Sequence, residues 1–282
     1  MGHTHNTLGE YEEALQCFDD AIQIVHIRAA TIPGYVASNH LGGLYLGKAT
    51  TFKRLGRYEE ALKDAMAALD AFRKRFGGQD HSLIAKALTG AADIQYRLGR
   101  NDLALPLHEE AVRLFYSTCG NSPLTANAFY GLGRCHEALN NIDKALECYD
   151  DALKLHVGFD TLDMTRIVKI LGRLFNLRTT QARTVPPEKT LKTLTELFAP
   201  YLPTLKKGHA SLIEQKREKT DDAAVYYKFC GEFLILAGLN AEAAAYFTLA
   251  INILKTIKDF DCRDLIASCE TMLQMAKARI RT

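Results

Sequence analysis

Leu55-Gly56-Arg57-Tyr58-Glu59-Glu60-Ala61 is a short frame that returns along the chain. It stands earlier as Leu8-Gly9-Glu10-Tyr11-Glu12-Glu13-Ala14 and later as Leu98-Gly99-Arg100-Asn101-Asp102-Leu103-Ala104. Leu139-Asn140-Asn141-Ile142-Asp143-Lys144-Ala145 and Ala237-Gly238-Leu239-Asn240-Ala241-Glu242-Ala243 are two further copies. A glycine or asparagine in second place suits a helix C-terminus, because it tolerates the left-handed backbone found there. The acidic residues that follow fall in the first turn of the next helix, where the helix dipole favours them. Each copy therefore reads as the turn between two antiparallel helices, and its closing alanine lets the second helix lie close against the first.

The positions around the frame repeat too. Ala21, Ala68, Ala111, Ala152 and Ala250 stand at one fixed distance after the closing alanines, and Ala49, Ala92, Gly133 and Gly231 at one fixed distance before them. Tyr45, Leu88, Phe129 and Tyr227 precede that second set by one helical turn. Phe18, Tyr149 and Phe247 follow the closing alanine by one turn, where Ala65 and His108 are departures. Small residues at fixed helical offsets permit tight crossing, and large ones fill the space between successive pairs.

This pattern resembles the tetratricopeptide repeat family. The copies lie 47, 43 and 41 residues apart, and two connecting stretches stand between them. Phe76-Gly77-Gly78-Gln79-Asp80-His81-Ser82 and Cys119-Gly120-Asn121-Ser122-Pro123-Leu124 are similar to the F-G-x-x-H-P linkers of the long repeats in kinesin light chains. The resemblance implies an all-α fold, a right-handed α-solenoid of antiparallel helix pairs with a C-terminal capping helix. It also implies a scaffold or adaptor that holds a peptide or helix of a larger assembly, cytoskeletal or ciliary if the light-chain likeness extends to function. The chain departs from the family where kinesin light chains often carry a backbone-holding Asn, since Gly47, Gly90 and Gly131 stand there. The Lys and Asn set of a chaperone-tail clamp is likewise replaced by Leu46, Thr50, Gly90, Asn127 and Gly131.

Three stretches are expected within one continuous solenoid domain. Residues 1–160 hold the regular repeats, the first of them truncated. Residues 161–220 are a degenerate repeat with a loop insertion: a helix from Leu162 to Leu177, a polar loop from Thr179 to Pro187, and a second helix from Glu188 to Phe198. Pro200 and Pro203 are expected to stop that helix, and residues 204–220 carry no clear pattern. Residues 221–282 supply the last repeat and an amphipathic cap from Cys262 to Ile280. At the N-terminus only about half of a first helix precedes the first frame. The stripe Leu15, Phe18, Ala21, Ile22 and Val25 is therefore expected to lie in water and to invite a partner or a second copy.

Composition narrows the function. The 282 residues carry 35 basic and 33 acidic side chains, a balance that gives no general attraction for nucleic acid. Helical-repeat RNA binding stays as an alternative on the strength of basic inner residues, and so does an accessory subunit of an enzyme complex. The seven cysteines show no C-x-x-C spacing and read as reduced packing residues. With neither a signal-peptide core nor a membrane-length apolar run in the sequence, a cytoplasmic protein is expected.

No catalytic, cofactor or metal site is expected. There is no P-loop, dinucleotide glycine fingerprint, H-E-x-x-H or nucleophile elbow. His3 and His5 lack further ligands, and Glu12-Glu13 and Glu59-Glu60 recur with the repeat rather than as paired acids. Function must then lie on the face lined by the first helix of each pair. The repeat frame points Lys53, Arg54, Lys86, Asp93, Tyr96, Arg97, Asn127, Tyr130 and Arg134 to that face. Basic and aromatic groups together suit an acidic, or acidic and aromatic, peptide.

Overall fold

The computed structural model describes residues 1–158, 163–182, 202–214, 220–236, 238–257 and 262–280. All regular structure among them is helical. The helices are α1 (Gly2–Leu8), α2 (Tyr11–Thr31), α3 (Ser38–Arg54), α4 (Tyr58–Phe76), α5 (Ser82–Arg97), α6 (Asn101–Cys119) and α7 (Pro123–Ala138). They continue as α8 (Ile142–Gly158), α9 (Met164–Ala182), α10 (Leu202–Glu214), α11 (Asp221–Leu236), α12 (Asn240–Leu254) and α13 (Arg263–Ile280). The chain divides into two compact units, Met1–Cys148 and Tyr149–Thr282.

Every copy of the frame is the same turn at atomic level. Gly9, Gly56, Gly99 and Gly238 have φ between 74° and 83°, and Asn140, with φ 59°, is the one non-glycine residue of positive φ among the described residues. The amide one residue further on donates back to the carbonyl five residues earlier: Glu10 to His5, Arg57 to Phe52, Arg100 to Gln95, Asn141 to His136 and Leu239 to Leu234, all between 2.8 and 3.0 Å. That bond ends one helix by satisfying an orphan carbonyl and reverses the chain into the next. Ala14, Ala61, Ala104, Ala145 and Ala243 are all fully buried, as their closing place in the frame requires.

The linker stretches cap the helices after them. In the first, the rings of Phe76 and His81 stack at 3.7 Å, and His81 Nδ1 accepts from the Leu83 amide at the start of α5. In the second, Ser122 Oγ accepts from the Thr125 amide, and Pro123 opens α7, where a missing N–H costs nothing.

In the first unit, α1, α3, α5 and α7 touch one another in succession, so the first helices of the pairs form one face. Aromatic residues on the second helices lock against glycines of that face. A Cβ added to Gly47 would lie 2.6 Å from the ring of Phe18, and one on Gly2 would lie 3.0 Å from the same ring. Phe18 is thus held between α1 and α3. The N-terminal stripe is consequently covered, contrary to the sequence expectation: Leu15, Phe18, Ile22 and Val25 are buried, and only Ala21 is partly open. The half-length α1 suffices because Asn6 Nδ2 donates to buried Thr51 Oγ1 at 2.8 Å, and Arg54 donates to the Asn6 carbonyl at 3.2 Å.

In the second unit, α11 and α12 pair, α13 packs on α12, and α9 packs on α11. Helix α9 runs through Thr179 to Ala182, where a loop was expected. The threonines turn inward on their own helix: Thr179 and Thr180 donate to the carbonyls of Phe175 and Asn176 at 2.8 Å. Pro203 stands in the first turn of α10, where a proline is tolerated. Residues 204–214 are helical with it. The expected helix from Glu188 to Phe198 lies outside the described residues. Helix α13 falls where the C-terminal amphipathic helix was expected, burying Cys269 and Ala276.

Candidate partner-binding site

A pocket of about 260 Å³ opens on the first-helix face of the first unit, lined by Lys53, Arg54, Tyr58, Asp93, Arg97 and Arg134. Lys53 and Arg54 come from the last turn of α3, Arg97 from the last turn of α5, and Arg134 from α7. Basic residues at helix C-termini are favoured by the dipole, so the fold itself concentrates cations at this end of the face.

One carboxylate lies beside two of them. Asp93 lies 3.9 Å from Lys53 Nζ, 3.7 Å from Arg134 Nη1 and 4.0 Å from His108 Nε2. All three separations exceed hydrogen-bond length, so the donors of Lys53 and Arg134 are not consumed. The Arg134 guanidinium lies over the Tyr96 ring at 3.9 Å and 6.0 Å from the centre of Tyr130. Contact with the aromatic face restrains that group, and a guanidinium presents a planar fork of donors. Arg97 is exposed and, among the described residues, has neither ion pair nor hydrogen bond.

His108 is the buried neighbour of this cluster. It stands in the repeat place of Phe18, and its ring meets Gly131 as Phe18 meets Gly47. Burial pushes its pKa down to about 4, with Asp93 opposing the shift and Arg134 adding to it. The ring is neutral at ordinary pH, and its Nδ1 is buried without a hydrogen-bond partner.

The structure brings Lys53, Arg54, Asp93, Tyr96, Arg97, Tyr130 and Arg134 together, as the repeat frame implies. Lys86 and Asn127 share the faces of α5 and α7 but lie two to three turns nearer the helix starts, outside the pocket. Two contributors were not singled out from sequence. Tyr58 belongs to the frame itself and read as a turn residue, whereas His108, a departure from the aromatic pattern, carried a usable signal in breaking it.

Gly90 separates from its two counterparts. Gly47 and Gly131 are explained by the rings pressed on them, but in the pair before Gly90 the repeat place of those rings is taken by Ala65. A Cβ on Gly90 would meet only Leu46 Cδ1, at 3.5 Å. Alanine there should raise stability by about 0.8–1.0 kcal/mol from helix propensity. Gly47→Ala should lower it by about 1–3 kcal/mol through overpacking. Paired denaturation midpoints test this, and a destabilised Gly90→Ala would show that the site is packed after all.

Among the described residues no group of three or more metal-binding side chains exists, and no helix is long and apolar enough to cross a membrane. Family models for the tetratricopeptide repeat match residues 41–117, 83–156 and 1–24. No curated protein sequence matches the chain. Among solved structures, BtubC (BKLC) from P. vanneervenii aligns with TM-score 0.59 and 17% identity, over 89% of this chain and 93% of that one. The apo form of RapI aligns with TM-score 0.56 and 14% identity over 99% and 95%. A putative kinesin light chain with TPR-like repeats from Podospora anserina aligns with TM-score 0.51 and 14% identity over 78% and 99%. At such identities the likeness is one of fold. The family models lie on the frame within residues 1–24 and 41–156, and the same turn is closed by the same hydrogen bond in every copy, so the chain carries tetratricopeptide repeats.

Proposed function

We propose that this protein is a non-catalytic scaffold whose first-helix face grips an acidic peptide or helix of a larger assembly. The observation that carries the reading is the convergence of four cations from three helices on one pocket that contains a single carboxylate. Tyr96 and Tyr130 beside it supply flat apolar surface for the rest of a bound segment. Gly90, on the same face of α5, offers helix backbone without a side chain, over which a guest main chain can pass closely. Cytoskeletal and ciliary complexes are the setting to examine first, in keeping with the long-repeat resemblance. The near-neutral net charge of +2 favours a protein guest over nucleic acid.

Crosslinking mass spectrometry on the native protein should place partner crosslinks on Lys53 and Lys86. The double variant Arg97→Glu, Arg134→Glu should lose the partner while keeping its helicity. Full affinity in that variant, measured by calorimetry, would remove this face from consideration.

A further inference from the structure

We infer that the pocket between α3, α5 and α7 is built for a phosphorylated side chain of the guest peptide, a refinement that rests on the peptide-binding reading. Charge is the first argument. Lys53, Arg54, Arg97 and Arg134 face one internal carboxylate, Asp93. A single carboxylate guest would leave two of the four cations uncompensated. A phosphoryl group brings roughly −1.5 to −2 at neutral pH and three strong acceptor oxygens, which comes closer to balance.

Donor geometry is the second argument. Arg134 is held with its guanidinium carbon 3.9 Å from the centre of the Tyr96 ring, and a guanidinium can give two parallel bonds to neighbouring oxygens. Arg97 brings a second guanidinium with every donor free among the described residues. Lys53 faces Asp93 at 3.9 Å, beyond hydrogen-bond length, and Arg54 spends one donor on the Asn6 carbonyl. Asp93 offsets part of the charge of Lys53 and Arg134 without using up their hydrogens. Size is the third argument. At about 260 Å³ the pocket falls below the range of roughly 300–1,000 Å³ typical for whole small-molecule ligands, and suits one head group on a side chain.

The test is a degenerate peptide array probed with the full chain, its fixed central residue being phosphoserine, glutamate or serine. Inorganic phosphate and phosphoinositide vesicles serve as separate arms. Phosphoserine peptides should bind at least about ten-fold more tightly than their glutamate counterparts, a difference of roughly 1.4 kcal/mol. Arg134→Lys keeps the charge but loses the fork, and should bring phosphoserine and glutamate binding together with circular dichroism unchanged. Equal binding of the two peptides by the native chain would overturn the phosphoryl assignment and leave the peptide reading standing. Binding in no peptide arm would sink both. Capture by the vesicles alone would overturn the assignment in favour of a lipid surface.

Discussion

Phe18→Ala is expected to lower the unfolding free energy by about 3–5 kcal/mol, the range for removing a buried aromatic ring. The ring is 3% exposed and sits between two glycines, Gly2 on α1 and Gly47 on α3, with His3 meeting it edge-on at 5.1 Å. Neither glycine has a side chain that can move into the space left behind, so the cavity collapses poorly and the cost lies toward the upper end. The effect should be regional. α1 is held to the rest by Phe18, by the Asn6–Thr51 bond and by Arg54, so loss of the ring should free α1 first. Hydrogen exchange should show amides of residues 2–8 unprotected in the variant while α5 and α6 keep their protection. A midpoint within about 1 kcal/mol of the native chain would mean that Phe18 does not lock these helices.

The same interlock explains what was legible in the sequence. Glycine and alanine at fixed offsets gave the turns and the close crossings, because each is forced by backbone or steric limits that only those residues meet. What covers the N-terminal helix was not legible. The missing piece was that Asn6 and Arg54, far apart in sequence, tie a half-length α1 onto α3. Across residues 161–220 the frame is lost, and there local signals misled. Thr179 and Thr180, expected in a loop, are helical, and their hydroxyls bond back to their own helix. Most pocket residues could be read from periodicity, since Asp93 and Arg97, or Tyr130 and Arg134, are one helical turn apart. Tyr58 reaches the pocket from α4, a second helix, and periodicity along the first helices gives no sign of it.

His108 should make the first unit acid-sensitive. Its pKa is about 6.5 unfolded and about 4 folded, held down first by burial. The unfolded chain therefore binds a proton that the folded chain refuses. Stability is complete above pH 6.5 and falls as the pH drops toward 4, by about 3 kcal/mol over that window. Buried His136 and His156 are also pushed down and act in the same direction. Asp64, raised by burial, acts in the opposite one. A substitution isolates the contribution of His108. Phenylalanine already occupies the equivalent place as Phe18 and Phe247, each against a glycine, so His108→Phe fits the repeat and removes the unpartnered Nδ1. Denaturant midpoints of native chain and variant should agree or favour the variant near neutral pH, and diverge steadily as the solution is acidified. The variant should keep most of the stability that the native chain loses. If both lose stability in parallel, the acid sensitivity belongs to other groups, and His108 is only a filler of the aromatic place.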